Sequence, residues 1–103
     1  MDNQLIAEIK RRGIPPLYTQ ENAADPMIYL EINIFGFPWR WFVTECEIEI
    51  EARDVLFFGY VCGLEKEWGY FRLSDIKETR RPVSIRYDFK PMPFSELKRH
   101  YKL

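Results

Sequence analysis

Apolar and polar residues alternate with a period of two through most of the chain between Met27 and Phe89, and that period is the signature of strands. Over Met27 to Phe35 the set Ile28, Leu30, Ile32 and Ile34 falls on one side and Tyr29, Glu31 and Asn33 on the other, which predicts a half-buried strand. Gly36-Phe37-Pro38 then turns the chain into a second strand, Trp39 to Cys46, with Trp39 and Trp41 stacked along one face. Glu47-Ile48-Glu49-Ile50-Glu51 keeps the period and either extends that strand or forms a short charged edge segment that opposes edge-to-edge pairing.

The alternation stops at Val55-Leu56-Phe57-Phe58-Gly59-Tyr60-Val61-Cys62, a run without a single charge. Aromatic and β-branched side chains on both parities suit a strand covered on both faces. With Glu67 to Leu73 after the Gly63-Leu64-Glu65-Lys66 turn, the run predicts a hairpin in the middle of one sheet. Phe57, Phe58, Val61, Phe71, Ile32 and Ile34 are the expected deep core. Val83 to Phe89 alternates again and predicts a fifth strand, with Ile85, Tyr87 and Phe89 inward.

Helical segments are short and lie at the two flanks and in one connection between strands. Leu5, Ile6 and Ile9 mark an amphipathic helix over Asp2 to Arg12, stopped by Gly13 and the Pro15-Pro16 pair. The prolines lead into an arm that is expected to pack Leu17 and Tyr18 on the sheet, with a peptide-like recognition arm as the alternative. Ser74 can cap a one- or two-turn helix that Pro82 ends, and Ser95 opens a closing helix over Glu96 to Lys102. Together these elements predict one α+β domain over residues 1–103, an antiparallel sheet of about five strands with the N-terminal helix and short C-terminal helices packed against it.

Composition narrows the function classes. A 47% apolar and 17% aromatic chain with a formal net charge of −1 folds, and by bulk charge it is no electrostatic nucleic-acid binder. No run approaches the roughly 18 apolar residues of a membrane span, and the start has neither a basic nor an apolar leader segment, so a cytoplasmic location is expected. Cys46 and Cys62 lie on separate strands without a C-x-x-C neighbour, and both are expected as free thiols.

Candidate chemistry is sparse. His100 is the only histidine, so neither a metal site nor a nucleophilic triad is signalled, and no glycine-rich phosphate cradle occurs. No cofactor and no enzymatic activity are expected. Glu45, Asp54, Glu65 and Glu67 flank the central strands, where two carboxylates in an aromatic pocket could act as acid and base. Arg40, Arg72, Arg80, Arg81 and Arg86 lie among aromatics and could serve stacked single-stranded nucleic acid, although glutamates are interleaved through the same strands. For a protein partner the candidates are Trp39, Arg40, Trp41 and Trp68 as anchors, with Glu47, Glu49 and Glu51 steering a basic surface.

Several motifs recur in a recognisable order: Pro15-Pro16-Leu17-Tyr18-Thr19-Gln20-Glu21, Asp25-Pro26, Trp39-Arg40-Trp41-Phe42-Val43-Thr44-Glu45, Leu56-Phe57-Phe58-Gly59-Tyr60-Val61, Glu67-Trp68-Gly69-Tyr70-Phe71-Arg72-Leu73-Ser74 and Arg81-Pro82. In that order the chain resembles the domain-of-unknown-function 2958 family, small proteins of plasmids, integrative elements and phages, over about Ile14 to Leu97. Arg80-Arg81 and the basic tail after Leu97 depart from the family's pattern. The resemblance carries no catalytic mechanism. It implies an accessory protein of mobile DNA, acting by binding and inhibiting a host protein complex such as a CRISPR or restriction effector, or alternatively a nucleic-acid-binding module in plasmid or phage maintenance.

Overall fold

A computed structural model describes residues 3–103. The elements run α1 (Asn3–Arg12), β1 (Met27–Ile28), β2 (Leu30–Ile34), β3 (Arg40–Glu49), β4 (Asp54–Cys62), β5 (Lys66–Arg72), α2 (Leu73–Lys77), β6 (Val83–Ile85), β7 (Met92–Pro93) and α3 (Phe94–Tyr101). Asp2, the expected first residue of α1, lies outside the described residues. Five strands form an antiparallel sheet in the order β5-β4-β3-β2-β6, and β1 pairs with β7 in a separate two-stranded ribbon. The architecture is the α+β one expected.

The centre of the sheet is β3 rather than the uncharged hairpin. β4 is second from the edge and β5 is the edge strand itself, because β3 is long enough to pair with β2 through its first half and with β4 along almost its whole length. Glu47 and Glu49 extend β3, the first of the two sequence alternatives, and Glu51 lies in the turn to β4.

Helices cover both faces. α1 and α2 bury Leu5, Ile9, Leu73 and Ile76 against Ile32, Trp41, Val43, Cys46, Val55, Phe57 and Phe71 on one face. α3 sits on the other, where Leu97 and Tyr101 pack with Ile28, Phe42 and Phe89. β2 is therefore buried on both sides, and Glu31, expected to face water, is only 3% exposed. Its carboxylate accepts a hydrogen bond from the Tyr101 hydroxyl at 2.8 Å.

Other expectations are corrected for reasons visible in the backbone. The strand expected over Met27 to Phe35 breaks at Tyr29, whose N–H donates to the Val43 carbonyl, and the break moves Ile28 into the α3 face cluster, away from Leu30. The strand expected over Val83 to Phe89 ends at Ile85. Beyond it the chain turns, Phe89 N–H donating to the Arg86 carbonyl, so Phe89 joins the opposite cluster from Ile85 and Tyr87 is half-buried between. The Arg12 guanidinium, with a side chain only 4% exposed, fastens this turn by donating to the carbonyls of Tyr29, Tyr87 and Phe89 and to Glu8. Ser74 is not a cap: its hydroxyl donates to Asp54, while Asp75 accepts from the Arg72 N–H at 3.0 Å and closes the start of α2.

A bulge at Val43 to Glu45 shifts the β3–β4 register, and the Thr44 hydroxyl donates across it to the Phe58 carbonyl. The Phe42 carbonyl presses so close to Gly59 that a Cβ there would sit 1.9 Å from it. Only glycine fits within that strand.

Candidate functional site

Antiparallel register brings distant residues into rows across the α3 face of the sheet. One row reads Ser84, Asn33, Arg40, Cys62, Lys66 through all five strands. The next reads Glu31, Phe42, Tyr60, Trp68, followed by Glu45, Phe58, Tyr70 and then by Glu47, Leu56, Arg72. α3 covers Phe42, and its first residue, Phe94, reaches Trp68 on β5, while Trp68 and Tyr70 at the sheet edge stay partly open.

Six rings connect there. Phe58 stacks on Trp68 with centroids 6.1 Å apart and meets Tyr70 at 4.8 Å. Trp68 also meets Tyr60 at 5.1 Å and Phe94, the first residue of α3, at 4.7 Å. Tyr18 extends the cluster from the proline arm, 6.5 Å from Tyr70. Tyr18, Tyr70 and Trp68 keep 63%, 52% and 38% of their surface exposed, which makes this a contiguous aromatic surface open to a partner. Phe58 and Val61, expected deep in the core, are half-buried, Phe58 within the aromatic surface and Val61 at the margin of the cluster on the opposite face.

The arm is held in place from beneath. The Glu45 carboxylate, 3% exposed, accepts N–H bonds from Tyr18 and Gln20, and the Gln20 side chain bridges back to Met27 and Thr44. Tyr18 sits at a φ of 71°, a left-handed backbone that a tyrosine adopts only when surroundings enforce it. The two N–H bonds to the buried Glu45 carboxylate supply that enforcement. Pro15 adds a backbone bond, its carbonyl accepting from Cys46 N–H.

Trp68, Arg40, Glu47 and Glu49 all lie on this face, with Arg40 and Glu49 at opposite ends of β3, nine residues or roughly 30 Å apart. Trp39 and Trp41 do not join them. They lie on the α1/α2 side, and Trp41 is 7% exposed, a core residue in ring contact with Trp39 and Phe71. The five arginines are also dispersed. Arg72 forms a two-point pair with Glu49, which holds that carboxyl below its ordinary range. Arg86 is similarly engaged with Asp88, Arg81 lies over the Phe37 ring, Arg40 lies over Tyr101, and Arg80 is in an exposed turn.

The four flanking carboxylates do not converge. Glu45 serves the arm, Asp54 accepts from Ser74 and Val55, and Glu65 and Glu67 are exposed at the other end of the sheet. His100 is exposed on α3, and among the described residues no group of His, Cys, Asp or Glu side chains could hold a metal ion. Both cysteines are free, and they point to opposite faces, Cys46 opposite Phe57 and Cys62 opposite Arg40. Among the described residues no helix is long and apolar enough to cross a membrane.

Sequence reasoning named Trp68 but missed Tyr18, Phe58, Tyr60, Tyr70 and Phe94 as its neighbours. The period-two spacing of Phe58 and Tyr60, and of Trp68 and Tyr70, was the available signal. No family model, no curated protein and no solved structure matches this chain.

Proposed function

We propose that this protein is a non-enzymatic binding module that docks on a protein partner through the aromatic surface of Tyr18, Phe58, Trp68, Tyr70 and Phe94. The observation that carries this reading is the contiguity of exposed rings beside the free edge of β5. Large, stiff aromatic side chains bury much area at little entropic cost and dominate interface energetics. Arg40 and Lys66 flank the rings at one end and Glu47 and Glu49 at the other, so the patch has the apolar centre and charged rim of a specific interface. Following the resemblance to domain-of-unknown-function 2958, the partner is a host protein complex, of the CRISPR or restriction type, and the chain is an accessory protein of a mobile genetic element in the bacterial cytoplasm.

The dispersion of the arginines favours protein over nucleic acid, since two of the five are already neutralised by carboxylates. The test is a photo-crosslinking amino acid placed at Tyr70 and, separately, at Arg53 in the turn at the acidic end, in a host lysate. The expected result is one protein adduct at Tyr70, none at Arg53, and loss of the adduct in Trp68→Ala. Equal labelling at both positions, or an oligonucleotide adduct, would refute the proposal.

A further inference from the structure

On the face opposite the aromatic surface, a cavity of about 290 Å³ opens between the β2–β3 turn and α2. Phe37, Trp39, Trp41 and Phe71 wall it, Ile76 lies beneath, and Asp75 is the one charged residue among those that line it. We propose that this cavity binds an organic ammonium ion, held by the faces of the aromatic rings and by the Asp75 carboxylate.

Three features carry the assignment. First, three of the four ring walls are held in place. The Trp39 ring packs so tightly on Gly63 that a Cβ there would lie 2.6 Å from it, and Trp41 is wedged between Trp39 at 5.8 Å and Phe71 at 6.4 Å. Trp41 and Phe71 are each only 7% exposed and belong to the core, so these walls stand in place without a ligand and the space beside them is preformed.

Second, the lining has the chemistry of a cation receptor. Aromatic faces carry negative electrostatic potential and attract cations within about 6 Å of the ring centroid, tryptophan best of all. Arg81 shows the attraction at this site, its guanidinium 5.0 Å from the Phe37 centroid while standing outside the cavity lining.

Third, Asp75 retains capacity. One of its oxygens accepts from the Arg72 N–H, and among the described residues the other takes no hydrogen bond. A neutral apolar ligand would strip water from that oxygen without replacing it, whereas an ammonium would compensate it. Strongly hydrated metal ions and primary amines fit poorly against four rings. A methylated ammonium, weakly hydrated and small enough to enter the cavity, fits best, whether free as in choline or on a trimethylated lysine side chain. The proposal does not rest on the docking reading, whose residues lie on the other face.

The tryptophans provide the readout. In a Trp68→Phe background Trp39 and Trp41 are the remaining indoles, and their emission is followed while choline, a trimethyl-lysine peptide and the uncharged isostere 3,3-dimethylbutan-1-ol are titrated in turn. The expected result is saturable quenching by the cations, with the isostere at least about tenfold weaker. Asp75→Asn, which keeps an acceptor for the Arg72 N–H, is expected to weaken choline severalfold and leave the isostere unchanged. Tighter binding of the peptide than of choline assigns the site to a modified protein side chain, and the reverse to a free metabolite. Equal affinity for choline and its isostere, or no saturable response to either cation in the folded wild-type chain, would overturn the proposal.

Discussion

Removing the Glu45 carboxylate is expected to release the proline arm and dismantle one side of the aromatic surface. In the native state this 3% exposed group accepts N–H bonds from Tyr18, at 3.0 Å, and from Gln20. Hydrogen bonds to a charged acceptor contribute about 1.5 to 3 kcal/mol each, and release of the arm lets water recover part of that loss, so Glu45→Ala should destabilise by about 2 to 4 kcal/mol. Glu45→Gln, which keeps one acceptor oxygen but loses the charge, should lose about half as much. Urea denaturation measures the stability change. Hydrogen exchange should show the Tyr18 and Gln20 amides losing protection while those of β4 keep theirs. With the acceptor gone, nothing compensates the positive φ of Tyr18, so its contact with Tyr70 should go too. A Glu45→Ala protein within about 0.5 kcal/mol of wild type, with the arm still protected, would refute this account of how the surface is held.

Three further outcomes follow from the same geometry. Gly59→Ala should cost at least about 3 kcal/mol in chemical denaturation, because its Cβ would collide with the Phe42 backbone carbonyl at the bulge, where no side chain can move aside. Under native conditions Cys62 should alkylate well before Cys46, whose thiol burial pushes up to about 11; mass spectrometry after unfolding should find both thiols free. For Asp54, burial acts to raise the pKa, but bonds from the Ser74 hydroxyl and from the Val55 and Ser74 N–H groups outweigh it and hold the carboxyl below its ordinary 3.8. Its contribution is therefore complete above that ordinary value and lost as pH falls through the lowered folded one. The stability gap between wild type and Asp54→Asn should accordingly be constant from neutral pH down to about 5 and shrink below about 4.

Local pattern in this chain determined the elements and much of their pairing. Period-two spacing marked β2, β3 and β6, the uncharged run marked β4, and the intervening turns of three to five residues left antiparallel pairing as the simple solution. The same spacing put Trp39 beside Trp41 and kept the two cysteines apart. It could not say which face of each strand the helices would cover. α1 and α2 fell on one side and α3 on the other, and that choice buried Glu31, sealed Trp41 into the core and left Trp68 and Tyr70 exposed.

Tertiary structure also decided which partners the charged groups found. Glu45 and Asp54 look alike in sequence as acids at strand ends, yet one pins an arm 25 or more residues away and the other anchors α2, because only the folded backbone delivers N–H donors to them. Arg12 gave no sign of its burial. Its carbonyl partners lie 17 to 77 residues along the chain and become a single site only after the chain turns out of the sheet beyond β6. Strand formation depends on near neighbours and reads from spacing, whereas burial, charge pairing and the shape of a surface depend on contacts between segments remote in sequence.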